Sequence, residues 1–362
     1  MRSAWALLLL ASMAQAQPRP QLTAEQAADH TVTAYLEGWQ FPPLADLGSA
    51  APDFIVAPGA SIQAAIDAVP AAGATNRRWV IQIQPGTYRE LVCIRDKAPL
   101  TLIGSPLNPA SVVIVEGRYA AQPKPVGQAA HPCQPDLNAT THGTPGSSTV
   151  MVFSDDVQLQ HLTIANDAMD RVRQGQGYPS GAGESGGAQA VALTLAGDRL
   201  QLEGMRLLGH QDTFFARRRE LDKPARVLVR HSLIAGDVDF IFGNATVVVQ
   251  HCMVLSRAGR RTPGERGIVV APSTPADQPH GFLFTGARFV GEPGLAPGSV
   301  ALGRAWDAGV KPGTWEAGTS PNGQALIRDS QLGAHLGPWA ASTSRRPFDP
   351  TGNRLAEFHN SP

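Results

Sequence analysis

The chain has 362 residues, and its 30 basic and 30 acidic side chains leave no net field to draw it to nucleic acid or an anionic membrane surface. Only 17% of residues are charged, while glycine and proline number 37 and 30, a balance that disfavours long solvated helices and favours short strands joined by turns. The length allows one large domain or two modest ones, either with a well-buried core.

Read from the N-terminus, Arg2 precedes an apolar run over residues 4–11, and Ala14-Gln15-Ala16 supplies the small residues of a cleavage site. The run is too short to span a bilayer, which takes about 20 residues. Residues 1–16 therefore read as a signal peptide cleaved near Ala16, with a buried N-terminal helix as the bland alternative. The mature chain is expected to be secreted or periplasmic. Residues 17–58 form an N-terminal extension rich in alanine and proline, with helix around 23–36. Residues 61–70 read as a short helix capped by Ser61, with Ile62, Ala65, Ile66 and Val69 on one face and Pro70 as its stop.

From Trp79 the pattern changes to short alternating apolar runs, and these recur. Residues 157–164, 200–207, 227–234 and 247–254 share one form: alternation, a polar or small pair, then apolar residues again. Weaker copies lie at 282–289 and 325–332. The spacing is irregular, roughly 20 to 40 residues, with loops inserted at varying points. Such repeats bury their apolar sides only by stacking on neighbours. Residues 59–362 are therefore expected to form an all-β domain, a single-stranded right-handed parallel β-helix with coils about 4.8 Å apart. The competing architecture is a β-sandwich, disfavoured by the scarcity of Asn-Gly or Asp-Gly hairpin signals between the runs.

Three cysteines, Cys93, Cys133 and Cys252, permit one disulfide in an oxidising compartment and leave one thiol over. Any of the three pairs is open; a Cys93–Cys133 bridge, pinning a proline-rich loop to a strand, is the preferred one. No C-x-x-C or H-E-x-x-H spacing occurs, so no metal site is expected.

Four segments place polar groups inside runs that otherwise look buried. They are Q-A-V-A-L at 189–193, G-H-Q-D-T-F-F at 209–215, G-D-V-D-F-I-F-G-N-A at 236–245 and L-G-R-A-W at 302–306. A carboxylate between Val238 and Phe240 is costly to desolvate without a cationic partner. The interval from Asp212 to Asp239 equals the interval from Leu200 to Val227, the starts of two successive apolar runs. Equal phase in a solenoid means stacking, so the two aspartates are expected on consecutive coils and one face. Gln189 precedes Gln211 by a slightly smaller interval, which fits a shorter coil. Arg304 is expected two coils beyond Asp239, a gap of about 9.6 Å at twice the strand spacing.

These segments resemble the pectin methylesterase family over residues 60–348. Its Q-A-V-A-L, G-x-Q-D-T, V-D-F-I-F-G-N-A and L-G-R-x-W blocks occur in order, and P-G-T-Y-R-E at 85–90 is similar to its early G-x-Y-x-E block. The resemblance implies a β-helix with a short N-terminal capping helix and long loops forming a cleft for methylated polygalacturonate. It implies a pectinesterase that hydrolyses methyl esters of galacturonate units and releases methanol, with no cofactor. By position, Asp239 would be the nucleophile and Arg304 would hold it ionised and aimed. Asp212 would be the general acid and then the base. Gln189 and Gln211 would donate to the oxyanion. Trp306 would stack on a sugar, with Phe240 as a second substrate contact. The expected partner is the polysaccharide, with neither nucleic acid nor a membrane span, and the chain is expected to act as a monomer.

Two departures stand out. Ala305 occupies a position where the family usually has proline, and residues 171–185 form a polar insertion just before Gln189. The C-terminal segment is similar to a bacterial branch that includes a thioesterase-like relative. An acyl thioesterase with the same dyad, a non-catalytic carbohydrate-binding envelope β-helix and a calcium-dependent polysaccharide lyase are thus the rival functions. Plainer readings accompany the motifs. Asp212 and Asp239 would be paired structural carboxylates, Arg304 a surface arginine, and the glutamines a hydrogen-bonded ladder between coils. Trp306 and the phenylalanines would be core. His210, His231 and His251 read as structural or solvated. The Arg217-Arg218-Arg219 run reads as a solvated turn, with a contact to polymer carboxylates as its second reading.

Overall fold

A computed structural model describes residues 19–362, and the signal peptide read over 1–16 lies outside them. Among the described residues, twenty-six strands form one ten-stranded and two eight-stranded sheets. The strands pair in parallel, and from the second strand onward each neighbours the strand three further along the chain. Every full coil therefore contributes one strand to each sheet, which is a parallel β-helix and not a sandwich. The first paired strand, Phe54–Val56, lies just ahead of the expected domain start and joins Trp79–Ile83.

Coil length varies more widely than the sequence suggests. Val227 pairs with Val247, one short coil on, whereas Leu100 pairs with Val157 across a far longer one. The extra length leaves as loops, and the stacked strands keep their register. Inside the helix Leu200, Val227, Val247 and Phe282 stand above one another in the core. The residues between them point outward, yet Leu228, Val248, Leu283 and Leu326 are also buried, under Tyr35 and Leu36. Burial on both faces explains why Val247, Val248 and Val249 read as an unbroken apolar run.

That cover comes from the N-terminal extension. The single helix expected near 23–36 is two, Ala24–Ala28 and Val32–Tyr35. Thr31 adopts extended backbone and caps the second helix through its side chain, which ends the first. The helix Ile62–Asp67 closes the first coil, with Ile62 and Ile66 buried beneath it. Its start is doubly capped. Ser61 Oγ accepts from Ala64 N, and Glu90 accepts from Ser61 Oγ at 2.5 Å and from Ile62 N at 2.8 Å. A carboxylate at a helix N-terminus also meets the favourable end of its dipole.

Cys93 and Cys133 form a disulfide, and Cys252 is a buried free thiol. The bridge fastens the loop before Gly143–Gly146 to the strand Val92–Arg95. No helix among the described residues is long and apolar enough to cross a membrane.

Candidate active site

One eight-stranded sheet carries the polar segments on its outer face. Its strand Phe214–Ala216 pairs with Ile241–Gly243 in the register Phe214 to Ile241, the same interval that separates the two aspartates. Asp212 and Asp239 each stand two positions before these residues, on adjacent coils about 4.8 Å apart. Both have left-handed backbone, with φ of 64° and 48°. Aspartate tolerates this region better than most residues, and here it turns the chain into the strand. Asp212 N donates to Val238 O at 3.0 Å, tying the two turns together. The following Gly243 is obligatory, because a Cβ there would lie 1.7 Å from Ala216 O.

Arg304 follows the strand Val300–Gly303, two strands on from Ile241–Gly243 in the sheet order. Its guanidinium reaches back to grip both oxygens of Asp239, Nε at 3.0 Å and Nη2 at 2.5 Å. The fork geometry spans the two-coil gap of about 9.6 Å expected from the strand spacing. Gly303, just before it, makes room for the adjacent strand, since a Cβ there would stand 2.4 Å from Val270 O.

Asp212 is in a contrasting position. It is 8% exposed, and its carboxyl accepts no hydrogen bond from any described residue. Burial, then the negative charge of Asp239, pushes its pKa well above the usual carboxylate range; Arg304 pulls the other way and is outweighed. One aspartate is neutralised by a guanidinium and its neighbour is driven towards the protonated form.

Gln189 and Gln211 line the same cleft, which has a volume of about 910 Å³. Strand pairing sets Leu193 against Phe214, so Gln211 faces Ala190 and the two glutamines stand one position out of step. Ala190 N donates to Gln211 O at 3.1 Å. Gln189 Oε1 is buried without a partner. Trp306 is half-buried at the cleft and meets Phe242 edge-on at 5.7 Å and Phe215 at 6.0 Å. Phe215 and Phe242 are themselves stacked at 4.3 Å.

Phe240 must be corrected. It is 0% exposed and belongs to the central core, so it presents no surface to a ligand. The turn at Asp239 aims it inward, and Phe242 takes the outward place. Phe214 is inward as well, leaving Phe215 as its outward neighbour. Ala305 is buried, and a Cβ on Gly323 would come within 2.9 Å of its methyl.

A second layer was not anticipated from sequence. His210 and Asp237 stand two positions before Asp212 and Asp239, so they share the register of the pair above them. His210 lies between Asp237, at 3.1 Å, and Asp170, at 3.0 Å. Arg260 clamps Asp237 at 2.5 and 2.6 Å and donates to the Tyr178 hydroxyl at 3.1 Å. Burial alone would raise the Asp237 carboxyl, yet hydrogen bonds from His210 and Arg260 prevail and lower it to about 2. Tyr178 in turn donates to Glu184 at 3.0 Å, and Glu184 also accepts from Thr262 N. The insertion 171–185 is thus bolted to the loop 257–266, and Glu184 and Ser185 bring it to the cleft. His231 is a surface partner of Glu203 and stacks on His251 at 5.9 Å, away from the cleft.

The Pectinesterase family model matches residues 140–309. A pectinesterase of Sitophilus oryzae is 32% identical over 84% of this chain and 79% of its own length. One of Ralstonia solanacearum is 34% identical over 81% of this chain and 75% of its own. Among solved structures, rice weevil pectin methyl esterase superposes with a TM-score of 0.79 at 28% identity, over 95% of this chain and 96% of that one. A pectin methylesterase in complex with a hexasaccharide gives 0.69 at 25% identity, over 86% and 90%.

Proposed function

The chain belongs to the pectinesterase family and hydrolyses methyl esters of pectin, and from that premise we propose that Asp239 is the nucleophile and Asp212 the acid/base. The observation that carries this division is the contrast between the two carboxyls: Asp239 gripped at both oxygens by Arg304, Asp212 buried, unpartnered and raised. An oxygen of Asp239 attacks the C6 carbonyl of a methyl galacturonate unit. Gln189 and Gln211 donate amide N–H groups to the resulting oxyanion, where one such donor is worth about 10²–10³ in rate. The bond to methoxy oxygen breaks as Asp212 gives its proton to the departing methanol. The anhydride so formed is cleaved by a water whose proton returns to Asp212, restoring the Asp239 carboxylate and a free galacturonate acid.

The cleft of about 910 Å³ accommodates a segment of polymer rather than one sugar. Phe215, Phe242 and Trp306 supply apolar faces against which sugar rings rest. We also place the mature protein in the periplasm or outside the cell. The leader pattern supports this, as does the Cys93–Cys133 bridge, which suits an oxidising compartment.

The test is Asp239→Asn, measured as methanol released from highly methylated pectin beside cleavage of a short-chain acyl thioester. Asparagine keeps the left-handed turn available, so the variant should fold and melt like the parent while methanol release disappears. Parental turnover in that variant would remove Asp239 as nucleophile, and thioester cleavage without methanol release would move the substrate class.

A further inference from the structure

Residues 304–307 are held from behind as well as from the cleft. After the strand Val300–Gly303 burial alternates along the chain: Arg304 and Trp306 line the cleft, while Ala305 and Asp307 are buried away from it. Asp307 is the centre of a three-residue turn, in which Ala308 N donates to Trp306 O at 2.9 Å.

One flank of this segment is ordinary coil stacking. Arg304 N donates to Val270 O and Trp306 N to Pro272 O, both at 2.9 Å. The other flank is the end of the sheet. Its edge strand, Leu336–Gly337, covers only Val300 and Ala301, and no strand of the sheet lies beyond it among the described residues. Ala340 N still donates to Gly303 O at 2.8 Å and Thr343 N to Ala305 O at 3.0 Å, but residues 338–346 run as a loop.

Asp307 ties that loop down. Its enclosed carboxylate accepts at both oxygens, from Ser344 Oγ at 2.6 Å and from Arg346 Nη2 at 3.1 Å. Its backbone N donates to Thr343 Oγ1 at 3.0 Å. The loop is braced where it meets the carboxylate, since Ser342 N donates to Arg346 O at 2.8 Å and Arg346 N to Ser342 Oγ at 3.1 Å. The guanidinium carbon of Arg346 lies 4.1 Å from the centre of the Trp315 ring, whose Nε1 donates to Pro321 O at 2.8 Å. A buried carboxylate is unfavourable unless paired and hydrogen-bonded, so these ties hold Asp307 in one place. None of the groups takes part in the ester chemistry. What Asp307 fixes on the cleft side is its neighbour: one peptide unit joins it to Trp306, whose edge-on contacts with Phe215 and Phe242 depend on angle.

We propose that Asp307, held by Ser344 and Arg346, is a positioning residue that sets the Trp306 indole for the polymer. The inference rests on the pectinesterase reading. It concerns affinity, because Arg304 has anchors of its own in Val270 O and Asp239. Loss of the clamp frees the indole and leaves the grip on Asp239 intact.

The experiment is a double-mutant cycle of Asp307→Asn and Trp306→Ala, read as KM and kcat for methanol release from highly methylated pectin. Asp307→Asn should raise KM by about three- to tenfold, the range of angle-dependent aromatic contacts, with kcat at the parental level. In the Trp306→Ala background the same substitution should leave KM where it is. An equal rise in both backgrounds, or a fall in kcat at unchanged KM, overturns the proposal. The double variant Asp307→Asn, Arg346→Gln removes both charges together; it carries the same expectation and serves if the single variant does not fold. The Trp306 emission, isolated as the difference between each protein and its Trp306→Phe counterpart, should become more open to acrylamide quenching in Asp307→Asn. Unchanged quenching sinks the clamp. Should the parent release no methanol, the pectinesterase reading fails, and the quenching alone upholds or overturns the clamp.

Discussion

Replacing Asp212 by asparagine should abolish activity and yet make the protein more stable near neutral pH. The carboxyl is buried, beside an anion, with no donor of its own. Its pKa in the folded state lies well above the 3.8 of an unfolded chain. Between those two values the folded protein holds a proton that the unfolded chain has lost, so stability falls as pH rises, by about 1.4 kcal/mol per pH unit. Below 3.8 the contribution is fully present, and above the folded value the loss is complete. Asparagine keeps the shape and the left-handed backbone but cannot ionise. The stability difference between variant and parent should therefore grow in the variant's favour by about 1.4 kcal/mol for each unit above about pH 4. For a chain of this size that is about 2 °C in melting temperature per unit. Calorimetry of both proteins at pH 4, 5 and 6 reads this directly, since groups common to both cancel. A gap that stays constant, or that turns against the variant as pH rises, would mean Asp212 is ionised in the folded enzyme. It would then have no proton for methanol, and the proposed division of labour would collapse.

Two further outcomes are expected. Asp237→Asn leaves the buried Arg260 without its anion and should cost about 3–5 kcal/mol at pH 7. The Asp237 carboxyl is lowered from 3.8 to about 2, so its stabilising effect is present above 3.8 and fades as pH falls towards 2. The penalty, followed by chemical denaturation, should therefore shrink by about 2 kcal/mol between pH 5 and pH 2, and a pH-independent penalty would show that the ion pair is not its source. Replacing both Cys93 and Cys133 by serine frees a 40-residue separation and should cost about 4 kcal/mol on loop entropy. Loss of stability with methanol release intact at 25 °C would mark the bridge as structural, whereas loss of activity in a folded protein would assign the loop a part in the cleft.

The dyad was legible because a solenoid converts spacing into proximity. Asp212 and Asp239 are as far apart in sequence as Leu200 and Val227, and the strand pairing repeats that offset in both sheets. The same rule contained His210 and Asp237, but neither residue carries a motif that marks it as half of a pair. Phe240 was misplaced because residue type was read without direction. The left-handed turn at Asp239 resets the alternation, so Phe242 and Phe215 face out while Phe240 and Phe214 face in. Arg260, Asp170 and Tyr178 were beyond reach for another reason. They lie in loops with no repeat length, where sequence separation carries no information about distance. The outward burial of Leu228 and Val248 was hidden likewise, since nothing in their own runs names Tyr35 and Leu36 as the cover.

Two aspartates with matching backbone, matching register and adjacent coils end in unlike surroundings, and repetition cannot account for the difference. The asymmetry enters from outside the pair. Arg304 arrives from two coils beyond Asp239, so its fork closes on the nearer carboxylate and leaves Asp212 a coil further off. Once Asp239 is gripped as an anion, its charge joins burial in driving the proton onto Asp212. Asp237 adds further negative field, and Arg260 beside it opposes that effect. A stacked fold thus supplies two carboxyls in equivalent places, and one arginine from a third coil gives them the unlike surroundings on which the proposed roles of nucleophile and acid depend. Moving that arginine by a single coil, so that it met Asp212, should exchange the proposed roles.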